Sequence, residues 1–317
     1  MLKSARIFIT SIAICGLLWA PAYGADFPSK PIKFIVTAAA GGGEDTEARA
    51  IAPSVEKHLG GTQIMIENQP GAGGKIAFEK FHKAEPDGYT LITYTFPKSV
   101  IMEFQGKTGY QTKDFTPISA WSRSSQLLVV HADTWKTFDE FLKAAKGKTL
   151  SGGLSGRGST THLMGLIALD ELDIKANWVP YEGSAGSVTA LAGKHLDFTI
   201  CLATSAVPLI QAGKLRPLLL FSDKRDPYLP DVPTPKDLGI KMTFIPTLRG
   251  VEAPPNTPPA IVKVLEDAFS NAAKETAFLD IAKKRKLVLQ PVSSKEFGKA
   301  IVDIYPKIAK FKDMLNE

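Results

Sequence analysis

The sequence ENQPGAGG at residues 67–74 follows a β-branched run and precedes a short amphipathic stretch. After that stretch comes PDGYTL at residues 86–91, a turn followed by the start of a strand. An earlier cluster, GGGED at residues 41–45, also lies between a β-branched run and a helical pattern. Glycine turns in this position aim unpaired backbone N–H groups at an anion. The pattern predicts an α/β chain that holds a small negative ligand.

The first 24 residues are typical of a secretory signal peptide. Lys3 and Arg6 precede an apolar run at residues 7–19, and small residues lead to a cleavage site after Gly24. A membrane anchor is disfavoured because the run is shorter than the ~20 residues that span a bilayer. A lipid anchor at Cys15 is disfavoured because the residue before it is large. We therefore expect an exported chain.

Cleavage would remove two cations and lower the formal net charge from +6 to +4. Cys201 would then be the only cysteine, so we expect no intramolecular disulfide. The modest, dispersed positive charge does not indicate nucleic-acid binding. Stability must come from the hydrophobic core, which a chain of this length can supply.

Strand-like and helical patterns alternate along the chain, which predicts a parallel sheet with helices on both faces. The predicted strands are 32–36, 64–67, 90–94, 126–130, 150–154, 177–180, 198–202, 216–221 and 242–245. The predicted helices are 47–59, 76–84, 138–145, 161–172, 188–192, 259–274, 276–286 and 294–315.

Two sets of these units indicate two domains. Too few strands follow Arg249 for an independent unit, so we expect the tail to return to the first domain. The predicted boundaries are 25–124 plus 248–317 for a first lobe and 125–247 for a second lobe. Two crossings between lobes form a hinge, and the cleft between hinged lobes suits a small ligand.

The order and spacing of short motifs along the mature chain resemble the Bug family, the extracytoplasmic substrate-binding receptors of tripartite tricarboxylate transporters. Besides the segments quoted above, these motifs are FPSKPI at 27–32, DFTPI at 114–118, GSTTHL at 158–163, VPYEGS at 179–184, GKLR at 213–216 and LPDVPT at 229–234. The resemblance covers nearly all of the mature chain.

The resemblance implies a two-lobe periplasmic binding protein fold of a type II-like kind, a periplasmic location, and membrane transporter subunits as partners. It also implies that backbone N–H groups and hydroxyls from both lobes hold a ligand carboxylate, often through water. Carried over to this chain, the binding residues include Thr37, Ala38, Gly41, Gly42, Gly43, Ser155, Ser159, Thr160, Thr161, Tyr181, Gly183, Ser184 and Thr204.

Two segments depart from the family pattern. Residues 37–40 are small where many relatives have a proline and an aromatic residue, and the strand end near Thr95 carries Tyr94, Phe96 and Lys98. These differences favour an aromatic or bulkier carboxylate, and a dicarboxylate stays open. We add Thr95 and Lys98 to the predicted site because an ammonium group could make a charge-assisted bond to the ligand. Arg157 is a second, weaker candidate.

Several of these residues also have a structural interpretation. Ser159, Thr160 and Thr161 precede an apolar helix, where hydroxyls cap the helix with the same geometry that binds an anion. Asp45 fits a helix cap better than a contact with an anionic ligand. We interpret residues 71–74 as part of the frame of the first lobe rather than as residues that contact the ligand.

Motifs of known hydrolases, metalloproteases and phosphate-binding loops do not occur in the sequence. We therefore expect a monomeric receptor with no catalytic residue, metal or cofactor. Two alternatives stay open. One is a secreted hydrolase or lyase that uses His162 with Ser159 or Thr160, and the other is a ligand sensor coupled to a membrane kinase.

Overall fold

The structure, a computed structural model, describes residues 27–316, so the predicted signal peptide lies outside the described residues. Residues 27–316 form two sheets with helices packed on them, which confirms the predicted α/β fold. The strands are β1 (Ile32–Val36), β2 (Ile64–Asn68), β3 (Thr90–Phe96), β4 (Thr116–Ser124), β5 (Gln126–His131), β6 (Thr149–Leu154), β7 (Lys175–Pro180), β8 (Phe198–Leu202), β9 (Leu215–Phe221), β10 (Thr247–Ala253) and β11 (Val288–Ser293).

The helices flank these strands in chain order. They are α1 (Gly43–His58), α2 (Lys75–Phe81), α3 (Lys98–Gln105), α4 (Phe138–Ala145), α5 (Thr160–Leu172), α6 (Ser184–Ala192), α7 (Ala203–Gln211), α8 (Pro259–Ala272), α9 (Thr276–Lys284), α10 (Ser294–Ala309) and α11 (Lys312–Asn316). None of these helices is both long and apolar enough to cross a membrane.

Both sheets are mixed rather than parallel, which corrects the predicted arrangement. The six-stranded sheet has the order β11-β4-β10-β3-β1-β2, with β1, β2 and β3 parallel and with β10 antiparallel to both of its neighbours. The five-stranded sheet has the order β7-β6-β8-β5-β9, with β5 antiparallel to β8 and β9. We call the elements on these sheets the six-strand half and the five-strand half.

The chain passes from β4 directly into β5 and returns from β9 through a long segment into β10. After this return, α8 packs on α1, and α10 packs on α3 and β4. The crossings fit the predicted hinge, while the exact domain boundaries stay a prediction. The small helix α11 contacts both α3 and α5, so it touches both halves.

The tail departs most from the sequence prediction. It supplies β10 and β11 to the six-stranded sheet, whereas residues 242–245, predicted as a strand, form none. The helix predicted at 294–315 is divided into α10 and α11. β4, α3 and α7 were likewise not predicted from the sequence. All seven residues of β10 are buried even though Arg249 and Glu252 have ionisable side chains, so the usual polar alternation of a strand is absent.

Candidate functional site

A cleft of about 850 Å³ lies between the two halves, and loops from both halves line it. Thirteen of the fifteen predicted binding residues lie on its walls. They are Ala38, Gly41, Gly42, Gly43, Thr95, Lys98, Ser155, Ser159, Thr160, Tyr181, Gly183, Ser184 and Thr204. The sequence therefore located the cleft, although which of these residues contact a ligand stays a prediction.

Within residues 27–316, five helices begin at the cleft wall. The helices α1 and α3 begin there from the six-strand half, and α5, α6 and α7 begin there from the five-strand half. The first N–H groups of a helix have no partner within the helix, and the helix dipole places partial positive charge at that end. Their convergence makes the cleft attractive to a small anion.

The glycine loop before α1 is held by the first turn of the helix. The Gly41 N–H donates to Asp45 Oδ2 at 2.8 Å, and Asp45 Oδ1 lies 2.9 Å from Arg49 Nε. Burial opposes ionisation of Asp45, but the hydrogen bonds from Arg49 and Gly41 outweigh it and lower its pKa. Asp45 thus has the structural role predicted for it. Gly43 allows close packing, since a Cβ there would lie 3.3 Å from Arg249 Nη2.

The loop before α5 combines capping with exposure to the cleft. Ser159 is the N-cap residue and accepts from the His162 N–H at 3.1 Å. Thr161 Oγ1 accepts from the Ser155 N–H at 3.0 Å and is fully buried. Thr161 therefore lies behind the cleft wall, where it holds the loop instead of facing the ligand space.

Thr37 also lies behind the wall, because it is bonded to a buried carboxylate at the cleft floor. Glu44 Oε1 accepts from the Thr37 N–H at 3.1 Å, from Thr37 Oγ1 at 2.8 Å and from Thr93 Oγ1. Its other oxygen accepts from Thr95 Oγ1 at 3.2 Å. Burial opposes ionisation, but the charges of Lys98 and Arg249 and these hydrogen bonds lower the pKa of Glu44.

Arg249 is a cleft residue that the sequence analysis did not select. It lies on β10 opposite Thr95 of β3 and Ser122 of β4, which places it at the cleft floor. Its Nε lies 2.9 Å from Glu47 Oε1, but the N–H is not aligned with that oxygen, so charge attraction holds this pair. Glu47 Oε2 also accepts from Ser122 Oγ at 2.7 Å.

Other wall residues were missed or given another role. Met102 and Gln105 of α3 line the cleft, and so do Ala72 and Gly73 of the segment that the sequence analysis assigned to the frame. A Cβ at Gly158 would come within 1.9 Å of Gln105 Oε1, so the two halves touch at this point. No local sequence pattern marks α3 as a cleft helix.

The aromatic residues near the end of β3 do not line the cleft, which removes the main argument for an aromatic ligand. The Tyr94 and Phe96 side chains are 1% and 2% exposed. Both pack against Phe297 of α10, with ring centroids 5.6 Å and 6.4 Å away. Lys98, by contrast, lies on the cleft wall as predicted.

The geometry around His162 does not support the hydrolase alternative. Its Nδ1 accepts from the Gly158 N–H at 3.0 Å, and its ring lies beside Trp178 in a different cavity. Burial and the charge of Arg157 lower the pKa of His162 to about 4. Among the described residues, Ser159 Oγ bonds to the His162 backbone rather than to its ring. Residues 27–316 also hold no cluster of three potential metal ligands.

Residues 47–316 match the family model described as the tripartite tricarboxylate transporter family receptor, TctC. The chain belongs to this family. A relative from Cupriavidus necator is 35% identical over 254 residues, which are 78% of this chain and 75% of that protein. The match confirms the resemblance that the sequence motifs carry.

Solved structures of similar proteins share the fold. A ligand-free TctC solute-binding protein from Polaromonas is 31% identical, with a TM-score of 0.79 over 92% of this chain and 99% of that one. MatC from Rhodopseudomonas palustris, solved with bound malate, is 27% identical, with a TM-score of 0.74 over 92% and 100%. Another R. palustris protein, solved with adipate, is 28% identical, with a TM-score of 0.78 over 91% and 99%.

Proposed function

We propose that this chain is a periplasmic receptor that captures a small organic carboxylate in the cleft and delivers it to the membrane subunits of a tripartite tricarboxylate-type transporter. One observation carries this proposal: helices from both halves begin at the cleft, where their first N–H groups have no partner within the helix backbone. Hydroxyl groups of Ser155, Thr160 and Thr204 stand beside these helix starts. Carboxylate ligands in two related structures support the same chemistry.

The proposed mechanism is closure of the two halves around the ligand. Loops on either side each supply part of the donor set, so a carboxylate gains its full set of bonds only when the halves are together. A ligand shifts the open and closed populations only by its difference in affinity for the two states. The contact between Gln105 and Gly158 across the cleft supports a closed state in which the halves meet.

We expect the purified mature protein to bind at least one small aliphatic carboxylate saturably. At a ligand concentration of 100 times Kd, binding to the folded state adds ~2.7 kcal/mol of stability. For a chain of this size that corresponds to a rise in Tm of roughly 5 °C. Thermal-shift titration over mono-, di- and hydroxycarboxylates measures the rise in Tm. Calorimetry on the acids that raise Tm then measures Kd.

The methyl esters of the same acids are the matched controls, because they keep the carbon skeleton and lose the negative charge. They should give no shift. Equal shifts from acids and esters, or no response across the panel, would overturn the proposal. Proton NMR of the bound acid before and after incubation tests the hydrolase alternative, which requires a product and its loss in His162→Ala.

A further inference from the structure

A second cavity lies behind the hinge, on the face of the six-stranded sheet opposite the cleft. It measures about 400 Å³, and Arg123 of β4 and Leu248 of β10 line it. These two residues pair in register, as do their neighbours Ser122 and Arg249. Arg249 lines the cleft, and successive residues of a strand point to opposite faces of the sheet. We call the second cavity the hinge pocket.

The walls of the hinge pocket come from both crossings between the halves. Ser125 lies between β4 and β5, and Ser222 and Pro246 lie at the two ends of the segment that joins β9 to β10. Gln126 ties the crossings together, since its Nε2 donates to the Ile245 carbonyl oxygen at 3.1 Å. An occupant of this pocket therefore contacts the hinge itself rather than one half alone.

The lining combines apolar side chains with a small number of polar groups. Phe221, Phe244, Leu248 and Val292 are among the apolar residues, and they come from separate parts of the chain. Ligand pockets of proteins measure roughly 300–1,000 Å³ and have such mixed linings, with polar groups that orient the ligand. The hinge pocket lies at the small end of this range, so it suits a compact molecule.

The polar groups of the pocket have unmet capacity for hydrogen bonds. The Arg123 side chain is 13% exposed, and its Nη1 donates to Ser222 Oγ at 3.2 Å and lies 3.8 Å from Asp223 Oδ1. Among the described residues, neither Arg123 Nε nor Ser125 Oγ has a hydrogen-bond partner, although both atoms are buried. A buried donor without an acceptor is unfavourable, so an acceptor group beside Arg123 would be stabilising.

The charges around Arg123 favour a neutral acceptor over an anion. Within residues 27–316, the other charged groups on the lining are the carboxylates of Asp223 and Glu296. Two negative charges therefore accompany one positive charge, and they would repel an anionic ligand. The carbonyl oxygen of an amide supplies an acceptor without a charge, and its N–H can donate to a carboxylate.

We propose that the hinge pocket is a second binding site, which takes a small neutral amide with an apolar body. The carbonyl oxygen accepts from Arg123 and Ser125, and the apolar body lies against Phe221 and Leu248. This site is separate from that of the proposed function, because the cleft lies on the other face of the sheet. A ligand that contacts both crossings favours the relative positions of the halves that keep these contacts.

The probe for this site is acetanilide, a phenyl ring that carries a secondary amide. We expect ligand-observed NMR titration of the mature protein to show saturable binding with a Kd on the order of 1 mM, ordinary for a ligand of about ten non-hydrogen atoms. N-ethylaniline keeps the ring and the N–H but lacks the carbonyl oxygen, so it should bind roughly 10-fold more weakly. Arg123→Met should weaken acetanilide binding by about the same factor, because methionine keeps an apolar chain and removes the donors.

Arg216→Met is the matched control and should keep the wild-type Kd. Arg216 is also half-buried and donates to the Trp135 carbonyl oxygen at 3.0 Å, but it lies outside the hinge pocket. Ala300→Leu is a second variant in case Arg123→Met does not fold, which circular dichroism will show. Ala300 is on the pocket lining, so a leucine there should fill part of the pocket and abolish acetanilide binding.

Three results would overturn the inference. They are no binding of acetanilide, equal Kd values for acetanilide and N-ethylaniline, and wild-type affinity for acetanilide in either of the folded variants Arg123→Met and Ala300→Leu. Each of them leaves the proposed function standing, because that function is tested with carboxylates. A protein that binds acetanilide as expected but no carboxylate would instead lose the proposed function and keep the second site.

Discussion

Replacing Glu47 by glutamine should lower the free energy of unfolding by about 3 kcal/mol, because it removes the ion-pair partner of the buried Arg249 cation and leaves only the longer-range charge of Glu44. The two side chains are 4% and 10% exposed, and Nε of the arginine lies 2.9 Å from Oε1 of the glutamate. Glutamine keeps the volume and still accepts from Ser122, so the change isolates the charge. Chemical denaturation should show a lower midpoint with an unchanged m-value.

A double variant separates the pair from the packing around it. Glu47→Gln combined with Arg249→Met removes both charges and should recover most of the stability, since apolar replacement of a buried ion pair is often close to neutral. Asp267→Asn is the surface control, because its pair with Lys263 is exposed and should be worth less than about 1 kcal/mol. A Glu47→Gln loss as small as that of the control would contradict our assignment of a strong buried pair.

The α/β fold was predictable because local patterns dominate in the first half of the chain. The runs that became β1, β2 and β3 are rich in β-branched residues, and amphipathic stretches separate them. Their parallel pairing follows from the helical crossovers between them. The pattern could not show that antiparallel strands from later in the chain complete the same sheet.

β10 shows why the prediction failed in the tail. Its sequence TLRGVEA includes a glycine and two residues with ionisable side chains, which local propensity does not favour in a central strand. The strand is stable there because β3 and β4 flank it and because Glu47, remote in sequence, balances its arginine. Such long-range compensation has no signature in a short window of sequence.

The same difference between local and long-range signals separates the site residues that were predicted from those that were not. Glycine loops and hydroxyl residues at helix starts have local signals, so Gly41–Gly43 and Ser159 were placed at the cleft from the sequence alone. Arg249 was not, because its partners lie far along the chain: Thr95 is 154 residues from Arg249. For Tyr94 and Phe96, the sequence could not tell which face of the sheet each side chain occupies.

A second large effect is expected at Glu252 of β10, where removal of a carboxyl group should stabilise the protein at neutral pH. The side chain is fully buried, and among the described residues no hydrogen bond reaches either carboxyl oxygen. Burial, with a smaller contribution from the charge of Glu103, raises its pKa well above the ordinary 4.5. The folded state therefore holds a proton that the unfolded chain releases.

The sign of the pH dependence follows from this difference in bound protons. As the pH rises from about 4.5 toward the folded-state pKa, the free energy of unfolding falls, because ionisation of the unfolded chain becomes favourable. At pH 7 the loss is about 1.4 kcal/mol for each pH unit above 4.5 over which the folded-state carboxyl group stays protonated. Glu252→Gln has nearly the same shape and no proton to hold, so it should be more stable by up to this amount at pH 7 and unchanged near pH 4. Urea denaturation at several pH values measures the difference.

Glu296→Gln is a control of opposite sign in the same half of the molecule. Its carboxylate accepts from Ser293 at a helix cap, and hydrogen bonds from that side chain and backbone lower its pKa. Its contribution to stability is present above the unfolded pKa and lost as the pH falls, so the glutamine variant should lose stability at neutral pH rather than gain it. If Glu252→Gln shows a pH curve parallel to that of the wild type, the carboxyl group is ionised in the folded protein and must have a partner that residues 27–316 do not supply.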